Sequence, residues 1–135
     1  CGVIQGMNLG ESARASLVPR GMAELARLGC AMGAQQETFL GLSGMGDMML
    51  TCSSEKSRNF SLGLQLGQGK TLHDIMEHRR NVTEGVHTAK AAIDLAAKYE
   101  IEMPVCMAVH KCLNLGASLD EVIHEMLNRA LGNEF

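Results

Sequence analysis

The sequence predicts an all-α protein, a multi-helix bundle packed around one core. Three observations carry that expectation. Aromatic residues make up only 3% of the 135 residues, and no run of useful length alternates apolar and polar positions as a strand would. Apolar residues recur instead at three- to five-residue steps, the spacing of one helix face. Glycine, proline and hydroxyl-bearing residues then punctuate those stretches where helices start and stop.

The first long helix is expected from Ser12 to about Met32, with Leu17, Met22, Leu25, Leu28 and Met32 inward and Arg14, Arg20, Glu24 and Arg27 mostly outside that stripe. Pro19 falls inside it, so a kink or a break between two helices is expected there. Gly33 is a plausible stop. Residues 36–52, divided by Gly41, Gly44 and Gly46, predict two brief helices with tight turns between them.

Ser57 to Leu66 predicts the next helix, closed by Gly67 and Gly69, and Thr71 begins a short one to about His78 with Asp74 three residues after its cap. Thr83 to Tyr99 is the clearest amphipathic stretch. Val86, Ala89, Ile93, Ala96 and Ala97 form its stripe, with Lys90, Asp94 and Lys98 outside it. Pro104 opens a helix with Val105, Val109, Cys112 and Leu113 inward. Ser118 and Glu121 form a capping-box pattern before Val122, Ile123, Met126 and Leu127.

Size and composition bound the function. The length suits one domain over residues 1–135, with Met and Leu expected to fill the core, since Met numbers 10. The net charge is −3 and basic residues are scattered, which argues against nucleic acid as a partner. No apolar run reaches membrane-spanning length, and no signal peptide is expected before the domain. Cys1, Cys30, Cys52, Cys106 and Cys112 include no C-x-x-C pair, so buried free thiols in a reducing cytoplasm are expected. His73, His78, His87, His110 and His124 lack H-x-x-x-H spacing, so no metal site is expected. The chain opens CGVIQG, midway through an apolar, glycine-bearing stretch, as a fragment would.

Three polar groups stand out. In GMGD, Asp47 either caps the short helix 48–52 or, among Met45, Met48, Met49 and Leu50, finds donors such as the hydroxyls of a polyol. Ten residues on come Ser57, Arg58 and Asn59. Ser57 is either a plain N-cap beside a solvated Arg58, or the triplet opens a helix N-terminus whose free N–H groups and guanidinium fork suit phosphate oxygens. In Asn81-Val82-Thr83-Glu84-Gly85, Thr83 and Glu84 either cap the long helix or present a carboxylate to ribose hydroxyls or a cofactor amide.

Together, in this order, these pieces resemble the C-terminal substrate domain of bacterial NAD(P)-dependent glycerol-3-phosphate dehydrogenases, from about Gly2 to Asn128. The resemblance is carried by NLGESARASLVPRGMAELARLG (8–29), TFLGLSGMGDMMLTC (38–52), SRN (57–59), LGQGK (66–70), VTEGVHTAK (82–90) and EMPVCMAVHKCL (102–113). It implies a helical fold like the C-terminal domain of 6-phosphogluconate dehydrogenase, and a cytoplasmic, homodimeric enzyme class reducing dihydroxyacetone phosphate to sn-glycerol 3-phosphate with NAD or NADP as cofactor. By the same resemblance Asp47, Ser57, Arg58 and Asn59 would bind substrate, and Arg58, Val82 and Glu84 would meet the dinucleotide. The family's catalytic lysine and its dinucleotide-binding domain would precede Cys1, so the chain alone is expected to be inactive. GLSGMGD follows no strand and is not a G-x-G-x-x-G turn. Thr83 and Pro19 depart from the family's usual residues. A helical dimerisation module and a dehydrogenase for another hydroxy acid are the alternatives.

Overall fold

The computed structural model describes residues 1–78 and 83–128, and every regular element among them is helical. In chain order these are α1 (Gly2–Gly6), α2 (Glu11–Ala31), α3 (Gln36–Leu40), a π-helical turn (Leu42–Gly46), α4 (Asp47–Ser53), α5 (Arg58–Gly67), α6 (Leu72–His78), α7 (Thr83–Lys98), α8 (Pro104–Asn114) and α9 (Leu119–Asn128). The expected all-α architecture is the one observed.

Local signals mark the starts of α5, α6, α8 and α9. The Ser57 hydroxyl accepts from the Phe60 N–H at 3.3 Å, capping α5. At α6 the Asp74 N–H donates to Thr71 Oγ1 at 3.1 Å while the Thr71 hydroxyl donates to Asp74 Oδ2 at 2.6 Å. That second bond holds the Asp74 carboxyl below its usual range. Pro104 stands in the first turn of α8, and the Glu121 N–H reaches Ser118 Oγ at 3.4 Å at the head of α9.

α1 was not expected, because five residues have no periodicity to show. Its reason is tertiary. Gly2 and Gly6 lie against Gly63 and Gly67 of α5, so closely that a Cβ on Gly2 would stand 2.1 Å from the Phe60 carbonyl oxygen, and one on Gly67 2.5 Å from that of Val3. Two glycine pairs at i,i+4 spacing let the backbones touch. The Arg14 guanidinium then ties α1 to α2 by donating to Gln5 Oε1 at 2.6 Å, and also pairs with Glu11.

Several expectations are corrected. α2 runs unbroken through Pro19; Pro19 and Ala15, whose carbonyl loses its partner, both face solvent, which can satisfy that carbonyl. Glu24, expected outside the α2 stripe, is its most buried residue at 1% exposure, while Met32 is exposed. Val109, expected inward on α8, is also exposed, and Ala97 on α7 likewise. The chain turns at Gly41, whose carbonyl accepts from the Gly44 N–H at 3.2 Å, but no second turn separates the π-helical segment from α4, into which it passes directly. There Gly44 lies against the Phe39 backbone, and the Phe39 ring occupies the space left open at Gly29.

Met and Leu do not dominate the interior as expected. Buried apolar residues include Ile4, Ala23, Phe60, Ile75, Ala89, Ala96, Ala108 and Val122 beside Met22, Leu28, Leu62 and Met103. Among the described residues, buried side chains gather in two clusters. Leu28, Ala96 and Met103 join α2, α7 and the α8 entry; Leu62 and Ile75 join α5 and α6. α8 serves both, through Cys106 and Leu113. The five cysteines are free thiols, but Cys30 is exposed and the others half-buried, so the expected burial is only partial.

Candidate functional site

α4 and α5 are joined by a short turn in which the Ser57 N–H donates to the Ser54 carbonyl at 3.0 Å. Ser57 is extended, and the helix begins at Arg58. Phe60 and Leu62, each 4% exposed, anchor the next turn, so the start of α5 is fixed while its first polar side chains face outward. The first turn of α5 contains no acidic residue. Its free N–H groups and the Arg58 guanidinium therefore place positive charge together, in an arrangement that the helix dipole disfavours.

The compensating charge comes from α7. Glu84 Oε2 stands 3.8 Å from Arg58 Nη2, with both side chains well exposed, at 79% and 64%. One residue on, Gly85 faces Asn59: a Cβ on Gly85 would lie 2.7 Å from Asn59 Oδ1. Two consecutive residues of the α7 first turn thus meet two consecutive residues of the α5 first turn. The structure brings together Arg58, Asn59 and Glu84, named from the sequence, and adds Gly85, which was quoted there without a role. No periodicity or capping rule marks Gly85; only its position against Asn59 does.

Ser57 retains chemistry beyond its cap. Its oxygen accepts from Phe60, and its own O–H remains to donate. The two readings of Ser57 are therefore compatible.

Asp47 is corrected as a cap. It is the first residue of α4 with helical backbone, and its side chain makes no capping bond. Its carboxylate is exposed and has no hydrogen-bond or ion-pair partner among the described residues. It favours the α4 N-terminus only through the dipole. Its backbone carbonyl accepts from Thr51 Oγ1 at 2.8 Å. α4 packs on α5, but Asp47 makes no direct bond with Ser57, Arg58 or Asn59. Of the apolar residues named around it from the sequence, Met49 and Leu50 are exposed and Met45 and Met48 half-buried. Val82 and Asn81 lie outside the described residues.

The cavities lie elsewhere. One of about 340 Å³ opens between α7, α8 and α9, with Ile93, Met103, Met107 and Val122 in its lining and the Lys111–Glu125 ion pair at 2.7 Å beside them. Another, of about 210 Å³, is lined by Gln5, Asn8, Gly10, Glu11 and Arg14. Neither is lined by Asp47, Ser57, Arg58, Asn59 or Glu84. Among the described residues no three His, Cys, Asp or Glu side chains gather as a metal site would need, and no helix is long and apolar enough to cross a membrane.

Comparison with known proteins gives a consistent answer. Residues 1–124 match the family model described as the NAD-dependent glycerol-3-phosphate dehydrogenase C-terminus. A glycerol-3-phosphate dehydrogenase (NAD(P)+) of Rhodospirillum rubrum is 53% identical over 97% of this chain and 38% of its own length. One from Parvibaculum lavamentivorans is 52% identical over 99% of this chain and 40% of its own. The crystal structure of glycerol-3-phosphate dehydrogenase from Coxiella burnetii superimposes with a TM-score of 0.89 at 38% identity, covering 95% of this chain and 39% of that one. The chain spans about two fifths of the length of the curated relatives it matches.

Proposed function

The chain belongs to the family of NAD-dependent glycerol-3-phosphate dehydrogenase C-terminal domains, and from that premise we propose that it is the helical substrate domain of an NAD(P)-dependent sn-glycerol-3-phosphate dehydrogenase. The reaction is the interconversion of dihydroxyacetone phosphate and sn-glycerol 3-phosphate, which supplies phospholipid synthesis. The observation that carries this reading is the position of Arg58. A cation at the positive end of a helix is locally unfavourable, and an anionic ligand there satisfies guanidinium and free N–H groups at once.

In this reading Arg58 grips phosphate oxygens with its planar fork, and the Ser57 O–H and the Asn59 amide add neutral donors. Asp47 accepts from a substrate hydroxyl. Its exposed, unpartnered carboxylate and its place on α4, packed against α5, support that role. Holding the phosphate end orients the carbonyl carbon, and such positioning contributes several kcal/mol of barrier lowering in order of magnitude.

The residues present also fit one edge of a dinucleotide: Arg58 offers a fork to phosphate, and Glu84 an acceptor to ribose hydroxyls. When bound, the nicotinamide supplies the hydride that reduces the ketone carbon. No residue of this chain is assigned the proton transfer; by family resemblance that falls to a lysine outside it, and the 135 residues alone are inactive. The free thiols support a cytoplasmic setting. Exposed Leu40, Leu42, Met49 and Leu50 offer apolar surface to a second subunit in a homodimer.

Titration of the 15N-labelled chain with sn-glycerol 3-phosphate tests the site. Amide shifts at Asp47, Ser57, Arg58, Asn59 and Glu84 are the expected result. Shifts gathered instead around Met103 and Val122, or none at millimolar ligand, would overturn it.

A further inference from the structure

Gly85 is a poor residue for where it sits. It is in the first turn of α7, and its backbone is helical, so it has no left-handed conformation to justify it. Glycine there weakens the helix relative to alanine. What the missing side chain supplies is space: an alanine Cβ would stand 2.7 Å from Asn59 Oδ1 and 3.7 Å from Asn59 Cγ. The contact is with the tip of an exposed side chain, so an alanine would displace the amide and leave both helices where they are.

We infer that Gly85 is a positioning residue for the anion site, a notch in α7 that receives the Asn59 amide oxygen. With that oxygen seated over Gly85, the amide nitrogen of Asn59 is directed away from α7, available to donate to an acceptor such as a phosphate oxygen. Glu84, one residue earlier, faces Arg58 at 3.8 Å. The first turn of α7 therefore orients both polar side chains that open α5. The inference rests on the proposed reading of Asn59 as a substrate contact.

The experiment is a double-mutant cycle with Gly85→Ala and Asn59→Ala in the intact dehydrogenase carrying this domain, read by steady-state kinetics and by thermal melts. Gly85→Ala is expected to raise KM for dihydroxyacetone phosphate about three- to tenfold, the weight of one neutral hydrogen bond. The melting temperature should stay equal or rise, and the Asn59 side-chain amide signal should shift in the 15N spectrum of the chain. In the Asn59→Ala background Gly85→Ala should change nothing further. A fall in melting temperature with the same KM change in both backgrounds would make Gly85 merely structural and overturn the inference. If Asn59→Ala raises KM and Gly85→Ala does not, the reading of Asn59 stands and the inference alone fails. If Asn59→Ala leaves KM unchanged, the reading of Asn59 fails and takes the inference with it.

Discussion

Glu24 and Val105, eighty-one residues apart, are joined by a 2.6 Å hydrogen bond from the Val105 N–H to Glu24 Oε1, and the Cys106 N–H donates to Oε2 at 3.0 Å. A side chain of α2 thereby caps α8, whose own N-cap residue, Met103, has no side chain able to do so. A carboxylate is tolerated at 1% exposure because both oxygens meet donors at the positive end of a helix.

Glu24→Ala should therefore cost about 3 kcal/mol, since it strands two part-buried N–H groups. Glu24→Gln keeps one acceptor but turns its NH₂ toward the other donor, and should cost about 1–2 kcal/mol. Urea unfolding followed by helical circular dichroism measures both. Equal midpoints for wild type and Glu24→Ala would show that α8 does not depend on this cap.

The same carboxylate governs Cys106. Burial first, then the Glu24 charge and a hydrogen bond to it, push the thiol from an ordinary value near 9 up to about 12. At neutral pH the folded and unfolded states both hold the proton. Between pH 9 and about 12 the unfolded chain releases it and the folded one does not, so stability falls as pH rises through that window. Cys106→Ala should flatten this alkaline limb in melts taken from pH 8 to 11. Iodoacetamide at pH 8 should modify exposed Cys30 well before Cys106, as mass mapping of the labelled peptides would show.

Glycine-to-alanine changes should split by sign. Gly21 lies inside α2 with Met48 Sδ no nearer than 3.5 Å to a new Cβ, so Gly21→Ala should stabilise by about 0.5–1 kcal/mol. Gly67→Ala drives its Cβ to 2.5 Å from the Val3 carbonyl oxygen and 2.9 Å from Gly6 Cα, backbone atoms that cannot swing aside. It should destabilise by about 1–3 kcal/mol as overpacking does. Denaturant midpoints for the two variants moving the same way would count against the close α1–α5 approach.

What could be read from the sequence depended on how local its cause was. Ser57, Thr71, Pro104 and Ser118 announce helix starts because a cap acts within three residues. α1 was invisible because Gly2 and Gly6 have meaning only opposite Gly63 and Gly67. Glu24 was misplaced because its partners lie in α8, and the capping alternative for Asp47 fails because no local rule signals that a π-helical turn runs straight into α4. At the site, Arg58 and Glu84 carry charges that advertise themselves and the structure does set them face to face, whereas Gly85 acts through an absent side chain.

Arg58→Ala should weaken substrate binding far more than it weakens the fold. Arg58 is 64% exposed, and its pair with Glu84 at 3.8 Å is a surface contact of the kind worth roughly 0–1 kcal/mol. Removing a cation from the positive end of α5 also relieves an unfavourable dipole interaction, so the net stability change should stay within about 0.5 kcal/mol. Its bond to phosphate is charge-assisted, and losing such a partner costs roughly 1.5–3 kcal/mol, or about a ten- to hundredfold loss in kcat/KM. Arg58→Lys should recover only part of that loss, because a point charge cannot reproduce the planar fork. Steady-state kinetics of the intact enzyme beside a thermal melt separates the two effects. A collapsed melt with unchanged kcat/KM in the remaining folded enzyme would make Arg58 a structural residue and remove the phosphate from the head of α5.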